Sequence, residues 1–152
     1  MSLPQELRQW PQWLVSGSDK IPVSPRTGSH ADVRDRTLFV PYDVAVDFAQ
    51  QRGFEVGFGL TPEDPFVCVD LDSPSTPEQI DRHRCILDAP DRTYAEVSKS
   101  GAGVHIWCRG VLPRGVRRDK VEVYPQSRYI ICTGNALYPG APVKDCQQLL
   151  DS

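Results

Sequence analysis

Phe66-Val67-Cys68-Val69-Asp70-Leu71-Asp72 is the stretch that decides how this chain is read. Four apolar residues lead into an acid, a leucine and a second acid. As a β-strand, it sends Val67, Val69 and Leu71 to one face and Phe66, Cys68, Asp70 and Asp72 to the other. The two carboxylates then project from the same side, roughly 6.5 Å apart along the strand. Carboxylates at the end of an apolar strand repel each other and lose hydration, and a hard cation such as Mg²⁺ or Mn²⁺ relieves both costs. Acid pairs of this spacing also occur in turns, sugar-nucleotide binders and solvated loops, so the pair needs company before it carries a function.

Two later segments supply that company. Tyr94-Ala95-Glu96-Val97 reads as a strand that passes through Ser98-Lys99-Ser100-Gly101-Ala102-Gly103 into Val104-His105-Ile106-Trp107-Cys108. In this second strand Val104, Ile106 and Cys108 share one face, and His105 and Trp107 the other. Val121-Glu122-Val123-Tyr124 repeats the pattern, with the valines on one face and Glu122 and Tyr124 on the other; Arg128-Tyr129-Ile130-Ile131-Cys132-Thr133-Gly134 follows after a polar turn. If these strands share a sheet whose aliphatic side is covered by helices, the free side gathers Asp70, Asp72, Glu122 and His105, with Arg128 close by. That is the inventory of metal-dependent phosphoryl transfer.

The order V-D-L-D, S-K-S-G-A-G-V-H-I and E-V-Y-P-Q-S-R-Y-I-I-C-T-G resembles the primase-polymerase domain of the archaeo-eukaryotic primase superfamily. The forms encoded by phages, plasmids and integrated elements are the most similar. Leu7-Arg8-Gln9-Trp10, Pro11-Gln12-Trp13-Leu14-Val15, Lys20 to Gly28 and Val56-Gly57-Phe58-Gly59-Leu60 extend the likeness, which covers about residues 3 to 140. The third acid is Glu122 here and an aspartate in many relatives, which keeps the charge. The resemblance implies a template-directed nucleotidyltransferase, a DNA primase and polymerase that replicates a mobile element.

Asp70, Asp72 and Glu122 would hold two divalent ions, Mg²⁺ or Mn²⁺, and with His105 form the catalytic set. Ser98, Ser100, Gly101, Gly103, His105 and Arg128 would bind the incoming nucleoside triphosphate, through the small-residue turn, the histidine and a cationic clamp. Taken singly, the glycine turn also fits an ordinary hairpin, the histidine a structural residue, and Arg128 a surface strand position. Tyr124 and Tyr129 can contact base or sugar or simply pack, and packing is the better expectation for Tyr129. Lys20, Pro22, Pro25 and Gly28 match a further motif, with Lys20 a candidate template or nucleotide contact. The expected partners are nucleoside triphosphates and a DNA template and primer. The sequence carries no Walker A pattern, so a replicative helicase would act in trans or from a longer polypeptide. Two other readings use the same residues: a catalytically silent nucleic-acid-binding or initiator module, and a metal-dependent nuclease.

A chain of 152 residues suits one domain with one real core, and we expect residues 1 to 152 to form a single catalytic domain. No apolar run approaches membrane-spanning length and no signal peptide is evident, so we expect a cytoplasmic protein without a membrane partner. Its five cysteines are odd in number and lack a C-x-x-C pair, which favours core thiols in a reducing compartment over disulfides or zinc. The net charge of −3 argues mildly against a protein that coats nucleic acid. Lys99, Arg109, Arg114, Arg117, Arg118, Lys120 and Arg128 nevertheless cluster around the candidate site, as a phosphate track or a solvated loop.

The expected elements follow from local signals. Ser2-Leu3-Pro4 starts a short helix to about Trp10, and Trp13-Leu14-Val15 is a strand ahead of a long loop over residues 16–36. Pro41 opens a helix to Arg52 that Gly53 closes. Strands over 55–60 and 66–72, joined by Thr61-Pro62-Glu63-Asp64-Pro65, suggest a hairpin. Thr76-Pro77-Glu78-Gln79 is a capping box for a helix to about Leu87. Strands at 93–98, 104–109, 121–124 and 128–133 follow, with an Arg-rich loop before the third and a short helix within 143–150. The sum is an α+β two-layer sandwich with mostly antiparallel sheet. The resemblance adds a core like the RNA-recognition motif, with an N-terminal α/β unit.

Overall fold

The computed structural model describes residues 3–88, 92–118 and 120–151. Proline and glycine punctuate its N-terminal part. Pro4, in extended conformation, precedes helix α1 (Gln5–Arg8), while Ser2 of the expected start lies outside the described residues. Strand β1 (Trp13–Ser16) is followed by β2 (Pro22–Val23), a short pairing inside what reads as a long loop. Helix α2 (Tyr42–Arg52) begins after Pro41 and ends at Gly53, whose φ of 67° is the left-handed conformation that glycine adopts at least cost.

Strands β3 (Glu55–Leu60) and β4 (Phe66–Leu71) are adjacent in sequence but do not pair with each other. This corrects the expected hairpin. The connector is organised by Asp64, which accepts from Thr61 N (2.7 Å), Gln12 Nε2 (3.0 Å) and Phe66 N (2.9 Å). These bonds turn the chain out of one sheet and into the other. Helix α3 (Pro77–Asp88) starts with half of its capping box: Thr76 Oγ1 accepts from Gln79 N, while the Gln79 side chain reaches Ser75 N instead of Thr76 N. Then come β5 (Ala95–Val97), β6 (Val104–Arg109), β7 (Val116–Arg118), β8 (Val121–Tyr124) and β9 (Arg128–Ile131). The C-terminal segment forms β10 (Lys144–Asp145) and α4 (Gln147–Leu150), so a strand precedes the expected helix.

Two mostly antiparallel sheets result, giving the α+β class. One has four strands in the order β2-β1-β3-β9; the other has six, in the order β10-β6-β4-β8-β7, with β5 also paired to β6. Side-chain alternation then builds two cores. On one face of the six-stranded sheet Val69, Leu71, Ala95, Ile106 and Val121 pack with Ile86 and Leu87 of α3. On the other face Phe66, Cys68 and Trp107 meet Trp13, Val15, Phe58, Leu60 and Ile130 of the four-stranded sheet. Phe58 sits edge-on to both Phe66 (5.8 Å between ring centroids) and Trp107 (5.6 Å), which pins the sheets together at one end. Each such side chain contributes roughly 1.5–3 kcal/mol by burial.

Cys108 and Cys146 are joined in a disulfide, against the expectation that all the cysteines are thiols. The reason is tertiary: β10 lies parallel to β6, with Lys144 opposite Cys108, and the two Cα atoms come within 5.8 Å. A partner 38 residues away leaves no local signature. Cys68 and Cys132 are buried thiols, pushed well above the ordinary cysteine range by desolvation.

Candidate active site

The three segments with polar faces become neighbours in one sheet. Asp70 of β4 stands opposite His105 of β6 on one side and opposite Glu122 of β8 on the other. Two further pairings extend the row, since Glu96 of β5 faces His105 and Arg117 of β7 faces Glu122. Glu96, His105, Asp70, Glu122 and Arg117 therefore form one line across five strands, all on the face away from α3. Directly opposed residues in antiparallel strands share a face, so register alone assembles this row.

Beyond the Phe58 cluster, the sheets part into a cleft of about 320 Å³. Asp70, Asp72, His105 and Tyr124 line its floor, Ser98, Ser100 and Gly103 one end, and Arg128 to Ile131 of β9 the opposite wall. Lys20 enters from the β1–β2 loop. The Arg128 guanidinium lies 4.6 Å from the centroid of the Tyr124 ring, a cation–π contact that holds its charge over the cleft. Tyr129 packs more than it reaches: its hydroxyl is 2.8 Å from Ser16 Oγ, and its ring occupies the space that a side chain at Gly57 would need.

The turn after β5 is drawn tight against the acids. A Cβ at Gly103 would sit 2.8 Å from the Leu71 carbonyl oxygen, so this close approach requires glycine. Gly101 N, Ala102 N and Gly103 N donate to Ser98 O, Ser100 Oγ and Ser98 Oγ within the turn. Those N–H groups are thus already engaged, and Gly101 does not line the cleft. What the turn presents is hydroxyl, from Ser98 and Ser100.

Asp70 is half-buried, and its carboxyl is pushed up, first by desolvation and then by Glu122 and Asp72; His105 and Arg128 act the other way. His105 Nε2 is 3.7 Å from Asp70 Oδ1. Asp72, exposed one residue past the end of β4, accepts from Ser73 N at 2.9 Å. Glu122 accepts from the Tyr124 hydroxyl and lies 3.5 Å from Arg117 Nε. Among the described residues, no three His, Cys, Asp or Glu side chains are already drawn together as a metal site. The donor chemistry nonetheless fits a hard divalent cation: three carboxylates on one face, with the central one pushed up first by desolvation, a cost that a bound cation would offset.

Glu96 is the residue that motif reading passes over. It is fully buried, and its signal was available: folding the hairpin about residues 98–103 sets it opposite His105.

No family model matches the chain. It is similar to the curated "DNA Primase-polymerase" of Nitratiruptor phage NrS-1, at 32% identity over 83% of this chain. The similarity supports a primase-polymerase domain. The match spans only 19% of the phage protein's length. Among the described residues, no helix is long and apolar enough to cross a membrane.

Proposed function

We propose that the cleft between the sheets is the active site of a DNA primase-polymerase domain, a template-directed nucleotidyltransferase. The observation that carries this is the position of Asp70, flanked in register by His105 and Glu122 and faced across the cleft by Arg128. Asp70, Asp72 and Glu122 would hold Mg²⁺ or Mn²⁺, which when bound supplies activation of the primer 3′-hydroxyl and neutralisation of the triphosphate. Arg128 pairs with phosphate oxygens as a fixed cation, its guanidinium already oriented by Tyr124. Ser98 and Ser100 donate to the same group, His105 presents its Nε2 edge to the site, and Lys20 adds charge at the mouth. A primed DNA template would meet the basic residues around β7 and the cleft, in a salt-sensitive way given the chain's acidic balance. Such a domain serves replication of a phage, plasmid or integrated element in the cytoplasm, with a helicase in trans or on a longer polypeptide.

Primer extension at low salt with either ion tests the reading. The parent chain should incorporate nucleotide, and Asp70→Ala should lose at least roughly 10²–10³-fold in rate with its fold intact by circular dichroism. Template binding without incorporation would favour a silent binding module, and metal-dependent cleavage of unprimed strands would favour a nuclease.

A further inference from the structure

We propose that Glu96 is a positioning residue of this site, holding the His105 ring so that Nδ1 faces the interior and Nε2 faces Asp70 and the cleft. The inference rests on the nucleotide-binding reading of the cleft. Glu96 is 0% exposed, a costly place for a carboxylate unless each oxygen is satisfied. Both are. Oε1 accepts from the Tyr94 hydroxyl (2.8 Å) and Gly134 N (3.3 Å), and Oε2 accepts from Thr133 N (2.8 Å). The remaining approach to Oε2 is taken by His105 Nδ1 at 3.5 Å.

Thr133 N fixes Oε2, the oxygen that meets the histidine, while Tyr94 and Gly134 N hold only the far oxygen. Tyr94 keeps its hydrogen to donate, because burial, and then Glu96 itself, pushes its phenol upward. The carboxylate is therefore immobile before the histidine meets it. A ring nitrogen facing such an acceptor carries a hydrogen, and the hydrogen bond at one nitrogen sets the state of the other. Nε2 is left as the working edge, 3.7 Å from Asp70 Oδ1. His105 is itself mostly enclosed, with its side chain 12% exposed, so the ring has little room to turn over. Glu96 reaches the cleft only through His105; it is absent from the cleft lining.

A purely structural role, stapling the 133–134 bend to β5, is the competing account, and two variants separate them. Tyr94→Phe removes a bond to the far oxygen of the same carboxylate without touching the histidine. Glu96→Gln keeps the volume and removes the charge. Nitrogen-15 correlation spectra of the histidines, recorded at alkaline pH without nucleotide or metal, should show hydrogen on Nδ1 of His105 in the parent and in Tyr94→Phe, and a mixture of states in Glu96→Gln. Titration calorimetry with a nucleoside triphosphate and Mg²⁺ should show affinity lowered about tenfold or more in Glu96→Gln and unchanged in Tyr94→Phe, even though both melt earlier.

A bare Nδ1 in the parent overturns the proposal, and so does an equal loss of nucleotide affinity in the two variants. If Glu96→Gln does not fold, the parent spectrum decides alone. The spectrum uses no nucleotide, so a parent that binds none would sink the function proposed above and leave the Glu96–His105 geometry separately measured.

Discussion

On one face of the six-stranded sheet, Val69, Val121 and Val123 line a hollow of about 400 Å³ with Ile86 of α3 and Leu149 and Leu150 of α4. On the other face, Asp70, His105 and Tyr124 line the cleft of about 320 Å³. The two hollows are of similar size and share strands β4 and β8, yet one is walled mostly by aliphatic side chains, with Arg82 and Arg118 also in its lining, and the other mostly by polar and charged ones. Adjacent residues supply them: Val69 and Asp70, Tyr124 and Val123. The difference between them is a matter of parity along a strand, not of composition. It also shows how the charged side is tolerated. Repulsion and desolvation around Asp70 cost stability, and the aliphatic face together with the aromatic cluster at Phe58 offsets that cost.

Four expected outcomes probe this contrast. Asp70→Ala, catalytically the most damaging change, should leave the melting temperature in metal-free buffer unchanged or raised, because it removes a desolvated carboxylate that also faces Glu122 and Asp72. The neighbouring substitution Val69→Asp should do the opposite. It sets a carboxylate into the aliphatic core beside Ile106 and Ile86, and denaturant unfolding should register a loss of about 3 kcal/mol. Equal stability of the two variants would break the comparison.

The cleft wall comes next. His105→Ala and Arg128→Ala should each weaken nucleotide binding by about 1.5–3 kcal/mol, roughly tenfold to a hundredfold, by calorimetry. Unchanged affinity in both would remove the triphosphate from this cleft. The smallest effect belongs to the aliphatic hollow. Val123→Ile adds a methylene to a space able to take it and should raise stability by about 0.5–1 kcal/mol without altering nucleotide affinity.

Much of this is legible in the sequence. Alternation assigned Asp70, His105 and Glu122 to one face, and their apolar neighbours to the other, because a half-buried strand admits only that division. Pro41, Gly53 and Thr76 marked helix ends for the local reasons that make them good caps and stops. What failed was nonlocal. Residues 61–65 look like a hairpin turn, and only the grip of Asp64 on Gln12, Thr61 and Phe66 sends the chain to a different sheet. Cys108 and Cys146 meet through a parallel pairing that no neighbouring residue announces. Glu96 gives no local signal because a strand's lone acid usually faces water; here its partners Thr133 and Gly134 arrive from beyond β9.

The five-residue row across the sheet implies an asymmetry in which sequence changes this domain can absorb. Five of the six strands contribute one member each, and Glu96, His105, Asp70 and Glu122 are each kept in register by aliphatic neighbours on the opposite face. Gaining or losing a single residue inside β4, β6 or β8 would exchange Asp70, His105 or Glu122 for a valine, isoleucine or leucine, and at the same time turn charge into the core. Gaining or losing two residues would restore the faces while shifting the row. Length changes in this sheet should therefore be tolerated, if at all, in pairs, and single-residue changes should be confined to the connectors between strands.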